Sequence, residues 1–489
     1  MFPAVRKRVF LCILICMIFF PSRLFASETG DVQSKILEVD QYMKKAISKY
    51  EYPGASIAIV NNGKVVYTNS WGVTGDKKNV TTDTPFIIGS LSKSMTALGV
   101  MKLVQEGKVN LHEAVQKYIP WFTLKDKAAA SKITVEQLLS HTSGLSSKTG
   151  LKITDLGAED DQAIKRIVRM LANEKPTAKP GERYQYCDAN FVILGALIEE
   201  VTNKTFSQFM DEKIFKPLNM HHVVTNTEQA KKWGLTHGYQ SWFGRPKVSS
   251  IGYDNGGTPY GYIAVNAEDM GRYLVAMMDG NKVLASEYMK DLFHPRVQIK
   301  KDTFYGLGWK VTNLSDSEIL IWHSGSMPDY RSEMFMLPNE GWGVAILTNR
   351  NHQLEEDKLY QVSRGILDIL QGSHPPPLQT YKATELWVLS VGLIGITAIF
   401  ILLLLNFFRF KEPPSFRWLW PSLTFIYLLL SVTFIPIFIY LSELPWRTIY
   451  YFSPDLAFLA VNITLILFLS GLISIGIYLK TRPFIQTNY

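Results

Sequence analysis

Ser90-Leu91-Ser92-Lys93 is the one Ser-x-x-Lys in this chain. Spacing of i, i+3 sets a hydroxyl and an ammonium on one helix face. The apolar positions that follow, Met95, Leu98, Val100, Met101 and Val104, predict a buried helix opening at Gly89-Ser90. A serine hydroxyl becomes a nucleophile when a neighbouring base takes its proton, and a lysine whose pKa is lowered by burial can be that base. The helix N-terminus also favours the negative charge that develops during attack. By itself the tetrapeptide reads more readily as an N-capping serine followed by a solvated lysine.

Two further pieces give it context. Tyr186 and Asp188 lie in a loop, Pro180 to Asp188, just before the helical run Phe191–Val201. A tyrosine so placed can shuttle a proton between nucleophile and leaving group if neighbouring cations lower its pKa. Later, Trp322-His323-Ser324-Gly325-Ser326 ends one strand pattern and precedes another. Its small residues would let a substrate backbone lie along an exposed strand edge, and His323 would offer a donor or a positive charge to a carboxylate. The literal Lys148-Thr149-Gly150 has no strand pattern leading into it and reads as a solvated loop. The nine histidines include His221-His222, but without a His-Glu-x-x-His pattern or cysteine pairs no metal set stands out.

These residues need elements to hold them. Ile36, Val39, Met43 and Ile47 recur at helical spacing, and Ala55–Val60 and Val65–Ser70 flank Asn61-Asn62-Gly63-Lys64 as a strand hairpin. The middle, from Ser90 to about Leu292, is mostly helical in pattern with long loops. Phe304–Val311, Ile319–His323, Ser332–Leu337 and Gly341–Leu347 read as strands, and a helix over Leu354–Leu370 closes the segment. Early and late strands around a helical middle predict one sheet built from both ends, with a helical region inserted.

The two termini differ in kind. Residues 1–26 join a basic Arg6–Arg8 to an apolar run, Val9–Phe20, and a small-residue site at Ala26, which reads as a signal peptide; a short uncleaved anchor is the alternative. Cys12 and Cys16 lie in that segment, so its removal would leave Cys187 as the only thiol and no intrachain disulfide. After the Pro-rich linker 373–385 come three uncharged apolar spans, 386–408, 418–441 and 456–479, long enough to cross a bilayer. Arg409, Lys411 and Arg417 between the first two, and Lys480 and Arg482 after the third, place that loop and the C-terminus in the cytoplasm. The expectation is a multi-pass cell-membrane protein, with membrane lipid as a partner and residues 27–372 as an extracellular domain. The net charge of +8 sits mostly at the two ends, which leaves no footprint for nucleic acid.

The three pieces, in this order, resemble the beta-lactamase superfamily of penicillin-recognising serine hydrolases, in its class C branch, whose motifs are Ser-x-x-Lys, Tyr-x-Asn and Lys/His-Thr/Ser-Gly. The resemblance covers roughly 30–370 and includes Leu138–Leu145, Pro217–Met220 and Tyr305–Trp309. With three C-terminal spans added, the chain looks most like the membrane-anchored penicillin-binding-protein-like proteins of Gram-positive bacteria, of the flp kind. The resemblance implies an α/β (α+β) serine beta-lactamase/D,D-peptidase-like fold, an antiparallel sheet flanked by helices plus an all-helical region, and no cofactor. It implies Ser90 as acylated nucleophile, Lys93 as its base partner and Tyr186 as second proton-transfer group. His323, Ser324 and Gly325 would line the substrate's edge strand, and the backbone N–H groups of Ser90 and Ser326 would form the oxyanion hole. The implied substrates are D-alanine-containing cell-wall peptides or esters. Asp188 departs from the family's asparagine: an ionised aspartate cannot donate to a substrate amide, and it could instead hold Lys93 and raise its pKa. A catalytically weak wall-binding or sensing module is the alternative function.

Overall fold

The computed structural model describes residues 30–280, 282–380, 384–409 and 419–480. The signal segment 1–26, and Lys411, Arg417 and Arg482 of the topology argument, lie outside the described residues. Helix α1 (30–50) leads to the hairpin β1 (Gly54–Asn61) and β2 (Lys64–Gly72). Strand β3 (Phe86–Ile87) precedes α2 (Ser92–Gln105). The middle then supplies α3 (Ser147–Ile153), α4 (Asp188–Thr202), the hairpin β4 (Tyr239–Trp242) and β5 (Arg245–Val248), β6 (Ala264–Val265) and α5 (Ala267–Asp279). The late strands are β7 (Val297–Lys300), β8 (Thr303–Tyr305), β9 (Lys310–Asn313), β10 (Ile319–Ser326), β11 (Arg331–Leu337), β12 (Trp342–Thr348) and β13 (Arg350–Asn351), and α6 (Asp357–Leu370) follows them.

Eight strands form one antiparallel sheet in the order β2-β1-β12-β11-β10-β9-β8-β7. The first strand pairs with the last long one, Ala55 opposite Thr348 through Asn61 opposite Trp342. This is the sheet made from both ends that the sequence pattern predicts. The β1–β2 turn carries Asn62 and Gly63 at positive φ (47° and 73°), the geometry a two-residue hairpin requires. Strands β1, β11 and β12 are buried along their whole length, as central strands covered on both faces must be. Helix α5 packs on β1 and β12, where Gly271 lets Ala58 and Val65 approach closely.

Three details depart from the sequence pattern. Phe304–Val311 is not one strand, because Gly306 and Gly308 fold it back into the β8–β9 hairpin. Gly308 has φ of 77°, and a Cβ there would stand 2.9 Å from the Lys93 carbonyl oxygen. Lys148-Thr149-Gly150 is not a solvated loop: it forms part of α3, with Thr149 and Gly150 buried. Two small sheets, β13-β4-β5 and β3-β6, also lie outside the helical pattern read for the middle.

Helix α1 and the segment 358–379 form a compact unit of their own. In it Gly365 faces the Tyr42 ring, and the Tyr50 hydroxyl donates to Gln361 Oε1 at 3.0 Å. The rest of the chain, 52–357 with 380–480, forms the other unit. Its C-terminal part holds α7 (Thr384–Arg409), α8 (Leu419–Ser442), the short α9 (Trp446–Phe452) and α10 (Pro454–Lys480). Helices α7, α8 and α10 are long and apolar enough to cross a membrane. Trp387 (73 % exposed), Ile394 (68 %) and Val432 (72 %) turn outward from this bundle, an arrangement that suits hydrocarbon rather than water.

Strand β10 runs hard against the turn that carries Ser90. A Cβ on Gly325 would lie 2.0 Å from the Ile88 carbonyl oxygen, and one on Gly89 (φ 54°) would lie 2.5 Å from the Ser326 nitrogen. Gly325→Ala is therefore expected to push the strand off the turn and destabilise the domain by about 2–3 kcal/mol; a melting temperature equal to that of the parent chain would contradict this.

Candidate active site

Helix α2 is apolar nearly all round, with eleven of its fourteen residues buried, so it runs through the interior and carries Lys93 with it. A 3₁₀ turn, Gly89–Leu91, precedes it and leaves Ser90 partly exposed. Lys93 is fully buried, and its Nζ meets three acceptors: Ser90 Oγ at 2.9 Å, the Tyr260 carbonyl oxygen at 2.9 Å and Asp188 Oδ1 at 2.6 Å. All three N–H bonds of the ammonium are thus used. Burial lowers the Lys93 pKa, while the charge of Asp188 and its hydrogen bond act in the opposite direction; the net shift is downward. Asp188 holds the lysine as the sequence suggests, but burial outweighs it.

Tyr186 completes the cluster. Its ring centre stands 4.9 Å from Lys93 Nζ, and the Ser90 side chain is close enough to act on the phenol, favouring its ionised form. The expectation of a lowered phenol pKa is corrected: burial, reinforced by the Asp188 charge, pushes it well above the ordinary value. The cation that was to lower it is neutralised by its own carboxylate.

The loop bearing Tyr186 is fixed by His141, which sits at positive φ (58°) with its ring 4.4 Å from that of Tyr186, centre to centre. His141 Nδ1 accepts from the Cys187 N–H at 3.1 Å, and the Asn190 amide lies at the same distance. Asn190, the other asparagine near the motif, also accepts from Ser143 Oγ at 2.7 Å and is fully buried. It braces the loop rather than facing the cleft. From the other side, Ser147 Oγ of α3 donates to the Tyr186 carbonyl, and Gly150 lets α3 approach the first turn of α4.

Strand β10 forms the opposite wall. Strand β9 pairs only with Ile319–Trp322, so His323–Ser326 run on with that edge unpaired by β9. The reading of His323 as a possible cation is corrected. It is buried, and burial together with nearby Lys310 and Lys93 holds its pKa well below the usual value. Its Nδ1 donates to the Ser324 carbonyl at 2.8 Å, so Nε2 accepts from the Tyr305 hydroxyl at 3.1 Å. The ring is neutral and both nitrogens are engaged. Ser324 projects to the other face of the strand by alternation. Gly325 meets Ile88, and the close contact at Gly89 brings the Ser326 N–H beside the Ser90 turn. The Ser326 hydroxyl donates to Glu356 Oε1 and accepts from Asn351 Nδ2 at 2.9 Å.

The structure thus brings Ser90, Lys93 and Asp188 into one hydrogen-bonded group, with the Tyr186 ring against the lysine and the 323–326 edge beside it. Sequence reasoning missed Tyr260, His141, Tyr305, Asn351 and Glu356. His141 and Tyr305 lay inside the flanking pieces Leu138–Leu145 and Tyr305–Trp309, which was signal enough to single them out. Tyr260 acts through its backbone, which no side-chain pattern announces.

A serine and a buried lysine one helical turn apart, a tyrosine across from them and an open strand edge beside them define the serine beta-lactamase and penicillin-binding-protein fold. Residues 39–364 match the Beta-lactamase family, and the chain belongs to it. It is similar to Protein flp of Staphylococcus aureus, 29% identical over 330 residues in strain MW2 and 30% over 335 in strain COL, each match covering 66% of this chain. These matches span 64% of the length of the flp proteins themselves. Penicillin-binding protein 4 of Amycolatopsis lactamdurans is 28% identical over 319 residues, 62% of this chain and 82% of that protein. Among solved structures, the octameric penicillin-binding protein homologue from Pyrococcus abyssi aligns with a TM-score of 0.60 at 25% identity, covering 70% of this chain and 79% of that one.

The His323 geometry gives a direct test. Its imidazole resonances are expected to stay constant between pH 5 and 8, since its depressed pKa keeps it neutral throughout. A titration midpoint near 6.5 in a histidine-labelled NMR spectrum would contradict the assignment.

Proposed function

We propose that this protein is a membrane-anchored serine hydrolase that works by acyl-enzyme chemistry on D-alanine-containing cell-wall peptides or esters, recognises penicillins, and carries its catalytic domain on the outer face of the membrane. One observation carries the reading: the Ser90 hydroxyl is hydrogen-bonded to the fully buried Lys93 amine, whose Nζ also stands 4.9 Å from the centre of the Tyr186 ring. In the reacting state Lys93 is the neutral amine. Ser90 Oγ attacks the substrate carbonyl carbon and its proton passes to Lys93. The resulting oxyanion is held by the backbone N–H groups of Ser90 and Ser326. Tyr186, protonated because its pKa is raised, gives its proton to the leaving nitrogen or oxygen as that bond breaks and recovers one from the Lys93 ammonium. Water then attacks the ester, releasing the acid and restoring the serine. The unpaired edge of His323–Ser326 aligns the substrate backbone as an added strand. The outer location rests on the basic residues around the spans and on the signal segment.

A second reading is favoured by the Lys93–Asp188 contact. The carboxylate works against burial and favours the protonated lysine, which suits a binding or sensing module that acylates slowly.

Incubation with a penicillin or a fluorophosphonate is expected to add the mass of one acyl or phosphonyl group to the intact protein, and Ser90→Ala to abolish the addition. No adduct with either reagent would remove the hydrolase reading and leave the binding module. The acylation rate should rise with pH as Lys93 loses its proton. Asp188 raises that pKa, so Asp188→Asn should move the rise to lower pH and speed acylation at pH 7 severalfold. A shift to higher pH would show that Lys93 is not the base.

A further inference from the structure

Asp455 is a carboxylate in the first turn of α10, the third membrane-spanning helix, and it is 0 % exposed. The sequence pattern left it in the loop before the span. Ionisable groups at such positions are costly unless paired, and their partners point to their use. Asp455 Oδ1 accepts from its own helix at the Leu456 N–H, 2.8 Å, and from His352 Nε2, also 2.8 Å. Its Oδ2 accepts from the Phe243 N–H in the β4–β5 turn at 2.9 Å. His352 is 1 % exposed, and its Nδ1 accepts from the Leu354 N–H at 3.1 Å, so Nε2 carries the proton given to Asp455.

His352 directly follows β13, which pairs with β4. The residue before it, Asn351, donates from one amide nitrogen to Ser326 Oγ at 2.9 Å and to the Met327 carbonyl at 2.7 Å. An unbroken path of buried and part-buried hydrogen bonds and one backbone step therefore runs from the membrane helix to the residue whose N–H sits beside Ser90. The bundle touches the opposite wall as well. Arg447 of α9 donates to the carbonyls of Lys152 (2.8 Å) and Leu151 (3.2 Å) near the C-terminal end of α3, and α3 holds the Tyr186 backbone through Ser147.

We infer that Asp455, acting through His352 and Asn351, is a positioning residue for the Ser326 edge of the active site, so that the membrane bundle is part of the catalytic framework rather than only its tether. The role rests on the serine-hydrolase reading above. Its physical basis is the narrow tolerance of an oxyanion hole. A donor must lie within a few tenths of an ångström of its working distance, and a displacement of about 1 Å costs on the order of a hundredfold in rate.

The test uses the full-length protein in lipid nanodiscs and follows two quantities: the rate of Ser90 labelling by a fluorophosphonate, and hydrogen exchange of amides 324–331, 350–352 and 92–105. Asp455→Ala and His352→Leu are expected to slow labelling about tenfold or more with no change in its pH profile, and to loosen 324–331 and 350–352 while 92–105 stay protected. His352→Gln, which keeps a donor near the Nε2 position, is expected to restore the rate to within about threefold of the parent. Arg447→Ala tests the other wall without disturbing the Asp455 path and should slow labelling while leaving 324–331 protected. Parent-like labelling in both Asp455→Ala and His352→Leu would overturn the inference. So would an equal loss of protection over 92–105, which marks general unfolding. If the parent protein itself takes no label from fluorophosphonate or penicillin, the hydrolase reading fails, and the exchange data decide alone: loosening confined to 324–331 and 350–352 upholds the positioning role, and unchanged exchange removes it.

Discussion

A lysine taken wholly out of water costs several kcal/mol unless each of its N–H bonds finds an acceptor, and the interior of this domain is arranged around one such lysine. Lys93 draws its three acceptors from three separate places in the chain: the turn before α2, the segment at Tyr260 and the first turn of α4. No two of these are near one another in sequence, and only Ser90 is near Lys93 itself. Moving any of them would strand a buried charge, so the inserted helical region cannot slide relative to the nucleophile turn. The β8–β9 hairpin is drawn into the same arrangement, because Gly308 is the only residue type that lets it rest on the Lys93 carbonyl.

That lysine explains the glycines as well as the polar groups. With α2 fixed from within, β10 must come to the Ser90 turn, and it comes so close that neither Gly325 nor Gly89 has room for a methyl group. The smallness of this segment is thus a packing requirement between two walls of the cleft. An open edge for substrate follows from something else, the early end of β9 pairing at Trp322.

Much of this was written in the sequence because it depends on side-chain type and local spacing. The Ser90–Lys93 interval, the Asn62-Gly63 turn and the apolar spans each carry their own local signal, and the sheet from both ends followed from strand order alone. What was not legible depends on distant partners. Lys148–Gly150 looks polar and loop-like until α4 is packed against it. The charge of His323 could not be read because burial, with Lys310 and Lys93 nearby, sets it. The Tyr260 carbonyl has no residue signature at all, since every residue, proline included, offers the same backbone carbonyl as an acceptor.

The charges of the cleft bear on what it can hold. The Lys93 ammonium is balanced by Asp188 at 2.6 Å, and His141 and His323 are both kept neutral by burial. Arg331 is tied to Glu333 at 2.9 Å and to the Gly325 carbonyl at 2.7 Å. The Ser326 hydroxyl faces the Glu356 side chain. A substrate carboxylate would therefore find no uncompensated cation among these residues, and the orientation of a substrate falls instead to the backbone of the β10 edge. Main-chain hydrogen bonds are strong only when the edge is held still. If the cleft holds substrate as proposed above, where charge gives little guidance, the rigidity of that strand decides how well the carbonyl is placed, and the segments that grip Ser326 from behind set that rigidity.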